Sequence, residues 1–400
     1  MPTVEPLILS ACRTPIGRYL GGLASLSAVE LGVVAASGAI ERAGVRPGDL
    51  EEAIVGNVLS AGLGQAPARQ VALGSGMDPG SSALTINMVC GSGLRSVMLA
   101  ATAIKAGEAE LILAGGMESM SNAPHLLKGG RGGWRIGDRE LVDALMHDGL
   151  TCAVEGWPMG NAAERTAGQG KLTRGELDAQ AVESHRRAIE ARESGAFAAE
   201  IVAVNVKGKK GESSTVVEDE GPRGETSLES LGKLAPAFQA EGMVTAGNSS
   251  MLSDGAAMLV VASDERASRM GSRPLARIVA TGVSGREPRD VFLAPIGAIR
   301  QALGKAGLSP GEIDLYEINE AFAAQLIGCI RGLGLDPMKV NVHGGAIALG
   351  HPIGASGARV LVTLLHALER RGGRFGVASL CLGGGNAVAM VVERIARPGP

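Results

Sequence analysis

Two cysteines of the chain stand at glycine-rich turns, where a thiol could serve as a nucleophile or carry a proton. Cys90 follows the apolar run TINMV, and the turn GSG after it leads into an apolar segment that predicts a helix. The positive end of a helix and its free backbone N–H groups lower the pKa of a thiol and favour the thiolate. The alternative is a buried, inert cysteine. The order of strand, cysteine, glycine turn and helix favours an ionised, reactive sulfur.

The second of these cysteines, Cys381, ends a predicted strand in the sequence ASLCLGGG. Three glycines follow it, beginning with Gly383. A loop of this kind exposes backbone N–H groups that can surround and stabilise an oxyanion. The segment is therefore a second candidate for chemistry.

A histidine stands in a long glycine-rich stretch, GGAIALGHPIGASGAR, where His351 precedes Pro352. A residue before proline is pushed away from helical geometry, and proline is favoured as the first residue of a helix. The pattern places the imidazole at a junction between loop and helix, where it can face a pocket. His343 lies in the same loop. A structural or solvent-exposed histidine is the alternative.

A polar pair, Asn319 and Glu320, follows the apolar strand pattern in YEINEAFAA, just before a predicted helix. Asn319 could cap the helix, a position that asparagine favours. Taken separately, this signal is weak.

The elements that must position these residues follow an α/β pattern. The chain has 400 residues, 45% of them hydrophobic and 20% charged, which indicates two or three domains with ample core. Aromatic residues make up only 2%, so the core must be built from Ala, Val, Leu and Ile. Continuous apolar strands such as LILAG, from Leu111, alternate with helical segments. This alternation predicts sheets that are covered on both faces.

Charge and cysteine usage exclude several classes of protein. The net charge of −3 gives no electrostatic case for binding nucleic acid or an anionic membrane surface. Apolar runs such as AAMLVVA, from Ala256, are too short to span a bilayer. No basic region precedes a long apolar core at the N-terminus, and five scattered cysteines fit a reducing compartment. We expect a cytoplasmic protein without a metal site, since no Cys or His pair has ligand spacing.

An internal repeat predicts two similar halves. Residues 39–52 read AIERAGVRPGDLEE and residues 302–315 read ALGKAGLSPGEIDL. Two similar apolar strands, which begin near Asp254 and Gly385, form a second repeated pair in the same order. We therefore predict an N-terminal half of residues 1–120 plus 250–273, an inserted domain of residues 121–249, and a C-terminal half of residues 274–400.

Four motifs together resemble the thiolase family, and the resemblance covers essentially the whole chain. They are VCGSG at Cys90, NEAFA at Asn319, GHPIGASGAR from Gly350, and CLGGG at Cys381. The resemblance implies an α/β fold of five layers, αβαβα, built from two similar halves with an inserted loop domain. It also implies a reversible Claisen condensation of two acetyl-CoA molecules to acetoacetyl-CoA and CoA, through an S-acyl-cysteine.

The resemblance assigns a role to each matching position. Cys90 would attack the thioester and hold the acyl group, and His351 would activate Cys90 and stabilise the enolate oxygen. Cys381 would act as acid and base at the α-carbon, and Asn319 would hold a water in the enolate oxyanion hole. The backbone N–H groups of Cys90 and Gly383 would form a second such hole.

The inserted segment resembles the family's loop domain, which binds CoA. By this resemblance, Ser250 would contact CoA, Arg223 would lie near the adenine, and Met159 would line the acyl pocket. Phe322 of the NEAFA motif would also contact substrate. The alternative for Arg223 is a solvated surface charge. CoA thioesters are the substrates in this interpretation, and no separate cofactor is implied.

The stretch SNAPHLLKGGRGGWRIG, from Ser121, resembles the tetramerisation loop of biosynthetic thiolases. It favours acetoacetyl-CoA as the product and a homotetramer. Pro158 and Met251 depart from that group's usual residues, a histidine and a glycine, and so bear on pocket size and polarity. Asn386 and Ala387 depart from the usual residues after the triple glycine.

Three other functions share parts of this pattern. A degradative 3-ketoacyl-CoA thiolase would act on longer chains by the same chemistry. A ketoacyl synthase would lack the late Cys-x-Gly-Gly-Gly loop. A non-catalytic protein that binds acyl-CoA or lipid would be expected to lose Cys90 or His351, and both are present.

Overall fold

The computed structural model describes residues 4–207 and 213–396, which form fourteen strands and eleven α-helices. The strands are β1 Pro6–Arg13, β2 Gly17–Arg18, β3 Glu52–Gly56, β4 Ser82–Ile86, β5 Leu111–Ser119, β6 His125–Leu126, β7 Val142–Asp143, β8 Val204–Lys207, β9 Ser213–Val216, β10 Ser253–Ser263, β11 Ala276–Gly285, β12 Leu315–Ile318, β13 Phe375–Leu382 and β14 Asn386–Arg394. The helices are α1 Ala28–Ala43, α2 Pro67–Gly74, α3 Ser92–Ala106, α4 Met159–Gln169, α5 Arg174–Glu193, α6 Leu228–Gly232, α7 Asp264–Arg269, α8 Ala294–Ala306, α9 Ala323–Leu333, α10 Ala346–Leu349 and α11 Ile353–Arg371.

The strands form two sheet segments with the same plan. The first has the order β4-β3-β5-β10-β1 and the second the order β12-β13-β14-β11. Apart from the edge strand β4, which pairs in parallel with β3, each segment has one parallel pair (β3 with β5, β12 with β13) followed by two antiparallel pairs. The two segments join where Leu7 and Ile8 of β1 pair with Arg277 and Ala276 of β11. The two halves therefore share one topology, as the repeat predicted.

The helices complete five layers. Helices α1 and α2 cover the outer face of the first sheet segment, and α8 and α9 lie on the outer side of the second. Helices α3 and α11 pack against each other between the two, within the largest apolar cluster. The predicted αβαβα arrangement is confirmed, and the side chains that fill it are mainly Ala, Val, Leu and Ile.

The repeated sequence forms the same local structure twice. Helix α1 ends at Gly44 with φ 65°, and α8 ends at Gly307 with φ 68°, a left-handed conformation that glycine adopts without strain. Each helix is followed by one turn of 3₁₀ helix, Pro47–Asp49 or Pro310–Glu312, and then by a buried strand. The Pro-Gly turns thus return the chain to the sheet.

The segment between β5 and β10 contains β6 to β9 and α4 to α6. Helix α5 begins with a capping box formed by Thr173 and Glu176. A buried ion-pair network fastens this segment to β1. Arg13 Nε lies 2.7 Å from Glu200 Oε1, and Arg13 Nη1 lies 2.6 Å from Asp219 Oδ1.

No helix among residues 4–207 and 213–396 is long and apolar enough to cross a membrane.

Candidate active site

A mostly apolar cavity of about 210 Å³ lies where both halves meet the segment between β5 and β10. Its wall brings together seven of the predicted site residues: Cys90, Met159, Ser250, Phe322, His351, Cys381 and Gly383. The other two lie nearby, Asn319 against His351 and Arg223 on an adjoining outer pocket. Residues more than 250 positions apart in the chain therefore share one cavity.

The turn that carries Cys90 is strained and tightly held. Cys90 lies between β4 and α3, just before Gly91, the N-cap of α3. Val89 has φ 47°, a conformation that costs energy in a β-branched residue. Ser92 holds the turn closed, because its Oγ accepts the N–H of Met88 at 2.8 Å and donates to the carbonyl of Val89 at 2.6 Å. The sulfur is thereby presented to the cavity.

The sulfur of Cys90 is a thiol in the resting site. Burial raises the pKa of Cys90 to about 12; the backbone N–H groups of Cys90 and Gly383 act in the opposite direction, and the charge of Glu118 raises it further. The direction of this shift is opposite to the one we expected from the helix start alone. The start of α3 contributes N–H groups, but desolvation of the charged form outweighs them. A nearby base must take the proton when the sulfur attacks.

His351 can be that base, because its surroundings fix its tautomer. Its Nδ1 lies 2.6 Å from Ser356 Oγ, and that hydroxyl donates its only proton to the carbonyl of Pro352 at 2.9 Å. Ser356 must therefore accept a proton from Nδ1, which leaves Nε2 free to accept one. Burial lowers the pKa of His351 to about 3, and the charge of Arg359 lowers it further, so the ring is neutral.

The junction at His351 differs in one detail from the prediction. Helix α11 begins at Ile353, and Pro352 occupies the N-cap rather than the first helical position. The backbone N–H of His351 donates to the carbonyl of Met251 at 3.0 Å. This bond ties the histidine loop to the chain that enters β10.

Asn319 does not cap a helix. Helix α9 begins four residues later, at Ala323, and its N-cap is Phe322. The side chain of Asn319 is buried instead, with Nδ2 3.4 Å from His351 Nε2 and Oδ1 3.5 Å from Arg359 Nη2. The capping alternative is wrong, and the amide lies behind the imidazole.

Cys381 lies near the end of β13, and the glycine loop after it meets the Cys90 turn. A Cβ placed on Gly91 would stand 2.2 Å from Leu382 Cδ2, so the two turns are in contact. Burial raises the pKa of Cys381 well above its usual range, and the neighbouring Cys90 adds to this. Both cysteines are thus protonated at rest, on one wall of the cavity.

The apolar side of the cavity is formed by residues near two helix starts. Met159 is the first residue of α4, directly after Pro158. The ring of Phe322 lies 5.2 Å from that of Phe292 and 6.1 Å from that of Phe238. Pro158 and Met251 also line the cavity, so both departures noted in the sequence bear on its shape.

A larger outer pocket of about 560 Å³ adjoins the inner cavity, and both share Ser250. Arg223 lines this outer pocket with an exposed side chain, and its backbone N–H donates to His185 Nδ1 at 3.1 Å. Burial lowers the pKa of His185 to about 4, with Arg223 adding to the shift, so this imidazole is neutral and accepts the bond. The position of Arg223 is therefore compatible with both alternatives, contact with a ligand and a solvated surface charge.

Glu118 is a residue that the sequence analysis missed. Its carboxylate accepts the backbone N–H groups of Val58 at 3.1 Å, Leu59 at 3.2 Å and Gly354 at 2.9 Å, and the amide of Asn57 at 2.8 Å. Burial raises the pKa of Glu118 to about 7, while these N–H groups favour the charged form. Glu118 fixes the first turn of α11, next to His351. In the sequence, the one sign of this role is that an acidic residue ends an otherwise apolar strand pattern.

Comparison with known proteins gives a consistent result. The family models described as "Thiolase, N-terminal domain" and "Thiolase, C-terminal domain" match residues 7–265 and 272–394. The chain is 51% identical to the acetyl-CoA acetyltransferase of Escherichia coli K12 over 390 residues, 97% of this chain and 99% of that protein. It is 49% identical to the enzyme of that name from Chromobacterium violaceum, over 98% of this chain and 100% of that one.

Solved structures agree with these relatives. The acetyl-CoA acetyltransferase of Bacillus anthracis superposes with a TM-score of 0.96 at 41% identity, covering 98% of this chain and 99% of that chain. The acetyl-CoA acetyltransferase of Syntrophomonas wolfei gives the same TM-score and identity. Matches of this extent, together with the five-layered fold and the shared cavity, show that the chain belongs to the thiolase family.

Proposed function

We propose that the protein is an acetyl-CoA C-acetyltransferase, which condenses two acetyl-CoA molecules to acetoacetyl-CoA and CoA and also catalyses the reverse thiolysis. The observation that carries the proposal is the convergence of Cys90, His351 and Cys381 on one apolar cavity. The names of relatives that are about half identical over nearly the whole chain support the same reaction.

In the first half-reaction, Cys90 Sγ attacks the carbonyl carbon of acetyl-CoA and its proton passes to Nε2 of His351. The backbone N–H groups of Cys90 and Gly383 stabilise the oxyanion. The bond between the carbonyl carbon and the CoA sulfur then breaks. Cys381 donates its proton to the departing CoA sulfur, which leaves an S-acetyl group on Cys90 and a thiolate at Cys381.

In the second half-reaction, the Cys381 thiolate removes a proton from the methyl group of a second acetyl-CoA. His351 and a water held by Asn319 stabilise the enolate oxygen. The enolate carbon attacks the acetyl carbonyl, and the bond to the sulfur of Cys90 breaks. The proton held by His351 returns to that sulfur, so both cysteines end as thiols. An apolar site strengthens each of these electrostatic interactions.

The outer pocket is the proposed binding site for CoA. It leads from Arg223 past Ser250 to the inner cavity, which Met159 and Phe322 line. We assign residues 121–249 as the loop domain that carries this pocket, between an N-terminal half of residues 1–120 plus 250–273 and a C-terminal half of residues 274–400. CoA and its thioesters are the substrates and products of this mechanism, and the proposed location is the cytoplasm.

A homotetramer is the proposed assembly. The loop between β6 and β7 exposes apolar side chains that a monomer would leave in water, namely Leu127, Trp134, Ile136 and Leu141. An exposed apolar patch of this kind is typical of a protein interface. The molar mass of the protein in solution tests the assembly.

The test of the proposed function is an assay in both directions with the purified protein. It should form acetoacetyl-CoA from acetyl-CoA, and it should cleave acetoacetyl-CoA faster than long-chain 3-ketoacyl-CoA thioesters. Faster cleavage of the long chains would favour the degradative alternative. The absence of both reactions would reject the proposal.

A further inference from the structure

A buried ion pair lies directly behind Asn319. Glu317 on β12 and Arg359 on α11 are each about 2% exposed at the side chain, and Arg359 Nη1 lies 3.7 Å from Glu317 Oε2. Asn319 follows Glu317 by two residues, and Arg359 lies two turns along the helix that follows His351. The pair thus connects the two loops that carry the amide and the imidazole.

Stability does not account for this pair. Both carboxylate oxygens of Glu317 and the Nε and Nη1 atoms of Arg359 have no hydrogen-bond partner among the described residues. A buried ion pair stabilises a fold only when further hydrogen bonds compensate the loss of water, and apolar residues in its place are often neutral or stabilising. Arg359 makes a second contact, on the side of the active site.

That contact is with the amide of Asn319. Arg359 Nη2 lies 3.5 Å from Asn319 Oδ1, at the long end of the range for hydrogen bonds but in a buried setting that strengthens the attraction. A guanidinium group has donors only, so the atom that faces it must be the amide oxygen. The amide nitrogen then faces the ring of His351, 3.4 Å from Nε2 and 3.5 Å from Nδ1.

The direction of the amide decides what Asn319 offers to the reaction. With the oxygen held by Arg359, the side chain presents N–H groups toward the imidazole and the substrate. In the reversed direction it would present an oxygen, which repels a developing enolate. Arg359 therefore turns the amide nitrogen toward the His351 ring, whose Nδ1 donates to Ser356 on the far side and whose Nε2 stays available to the reaction.

We propose that Arg359, held in place by Glu317, is a positioning residue that fixes the amide of Asn319 with its N–H groups toward the enolate. The inference rests on the proposed function. It concerns the condensation step, because the acylation of Cys90 needs no enolate.

A double-mutant cycle tests the proposal, with Asn319→Ala, Arg359→Met and the two combined. Arg359→Met should lower the kcat of condensation by about 10- to 100-fold, less than the roughly 10²- to 10³-fold cost of losing an oxyanion donor, because Asn319 itself remains. The rate at which acetyl-CoA acylates Cys90 should change by less than about threefold, because that step uses other donors. In the Asn319→Ala background, Arg359→Met should lower the kcat of condensation by less than about twofold, since the residue that Arg359 positions is already absent.

Two further variants keep the test decisive. Arg359→Lys retains the charge without the planar fork, so a loss in condensation smaller than that of Arg359→Met is expected, again only where Asn319 is present. Arg13→Met removes a buried arginine elsewhere, and it should lower stability without changing the ratio of condensation to acylation. The inference would be overturned if Arg359→Met or Arg359→Lys lowered the kcat of condensation by the same factor in the presence and in the absence of Asn319.

The same data separate this inference from the proposed function. A wild-type protein that neither condenses nor cleaves would reject the function itself. An active wild type with an impaired Asn319→Ala variant, but additive effects of Arg359, would reject only the positioning role.

Discussion

Gly93 of α3 lies so close to Ala358 of α11 that a Cβ on Gly93 would stand 2.6 Å from the backbone nitrogen of Ala358. A second glycine makes the reciprocal contact, since a Cβ on Gly357 would stand 2.3 Å from the backbone nitrogen of Leu94. Helix α3 follows Cys90 and α11 follows His351. This crossing therefore sets the distance between the nucleophile and its base.

The first prediction concerns that crossing. Gly93→Ala should lower the free energy of unfolding by about 1–3 kcal/mol, because the atoms it meets are backbone atoms of α11 that cannot turn aside. It should also lower kcat, because the separation of the helices moves Cys90 from His351. Urea denaturation and thiolysis of acetoacetyl-CoA measure the two effects.

Gly304→Ala is the matched control. A Cβ on Gly304 in α8 would meet no atom within 4 Å, so the change should raise the free energy of unfolding by about 0.5–1 kcal/mol. Activity should be unchanged. A Gly93→Ala protein with wild-type stability and activity would show that the crossing does not govern the site.

The second prediction concerns the pH dependence of alkylation at Cys90. Because the pKa of Cys90 is raised to about 12, the thiolate fraction should keep rising with pH through the alkaline range. The logarithm of the rate of inactivation by iodoacetamide should therefore rise by about one per pH unit from pH 7 to 10, where an ordinary thiol with pKa about 8.5 levels off. A plateau below pH 8 would instead show a resting thiolate.

The third prediction separates the two cysteines. Cys381→Ala should leave acylation of Cys90 within about tenfold of wild type, because a thiolate can leave before it is protonated, yet lower condensation by about 10²- to 10⁴-fold, the usual contribution of a positioned acid and base. Cys12→Ala is the control, because Cys12 is also buried but donates to the carbonyl of Ala35 outside the cavity. Condensation that survives in Cys381→Ala would remove Cys381 from the acid and base role.

The fourth prediction concerns Glu118. Glu118→Gln places an NH₂ group among donors that now meet a carboxylate, so the free energy of unfolding should fall by about 1–3 kcal/mol. The start of α11 should shift as well, which lowers kcat. Urea denaturation and the thiolysis assay measure both effects.

Glu110→Gln controls for loss of a carboxylate, because the side chain of Glu110 is 43% exposed and its carboxylate pairs with Arg269 at the surface. This substitution should change the free energy of unfolding by no more than about 1 kcal/mol. Equal stability of the two variants would show that Glu118 is not a structural acceptor.

Much of the fold could be predicted because it depends on local signals. The Ala-Gly stops and Pro-Gly turns near Gly44 and Gly307 determine where helices end, and both repeats form the predicted elements. The position of Cys90 before a helix and of Cys381 at the end of a strand follow from the same kind of pattern.

The ionisation of Cys90 could not be predicted in this way. Sequence shows the helix that lowers the pKa but not the desolvation that raises it, because residues from distant parts of the chain close the cavity. Asn319 was ambiguous for a related reason, since the pattern cannot show which residue becomes the N-cap. Glu118 and Arg359 act through contacts with residues up to 236 positions away, and no local motif signals such contacts.

The most direct test of the central claim is to identify the residue that carries the acyl group. The protein is incubated with acetyl-CoA labelled in the acetyl group, quenched in acid, digested and mapped by mass spectrometry. The label should be found on the peptide that contains Cys90, as a thioester that CoA removes, and it should be absent in Cys90→Ser. A label on another peptide, or none at all while the enzyme turns over, would contradict the proposed mechanism.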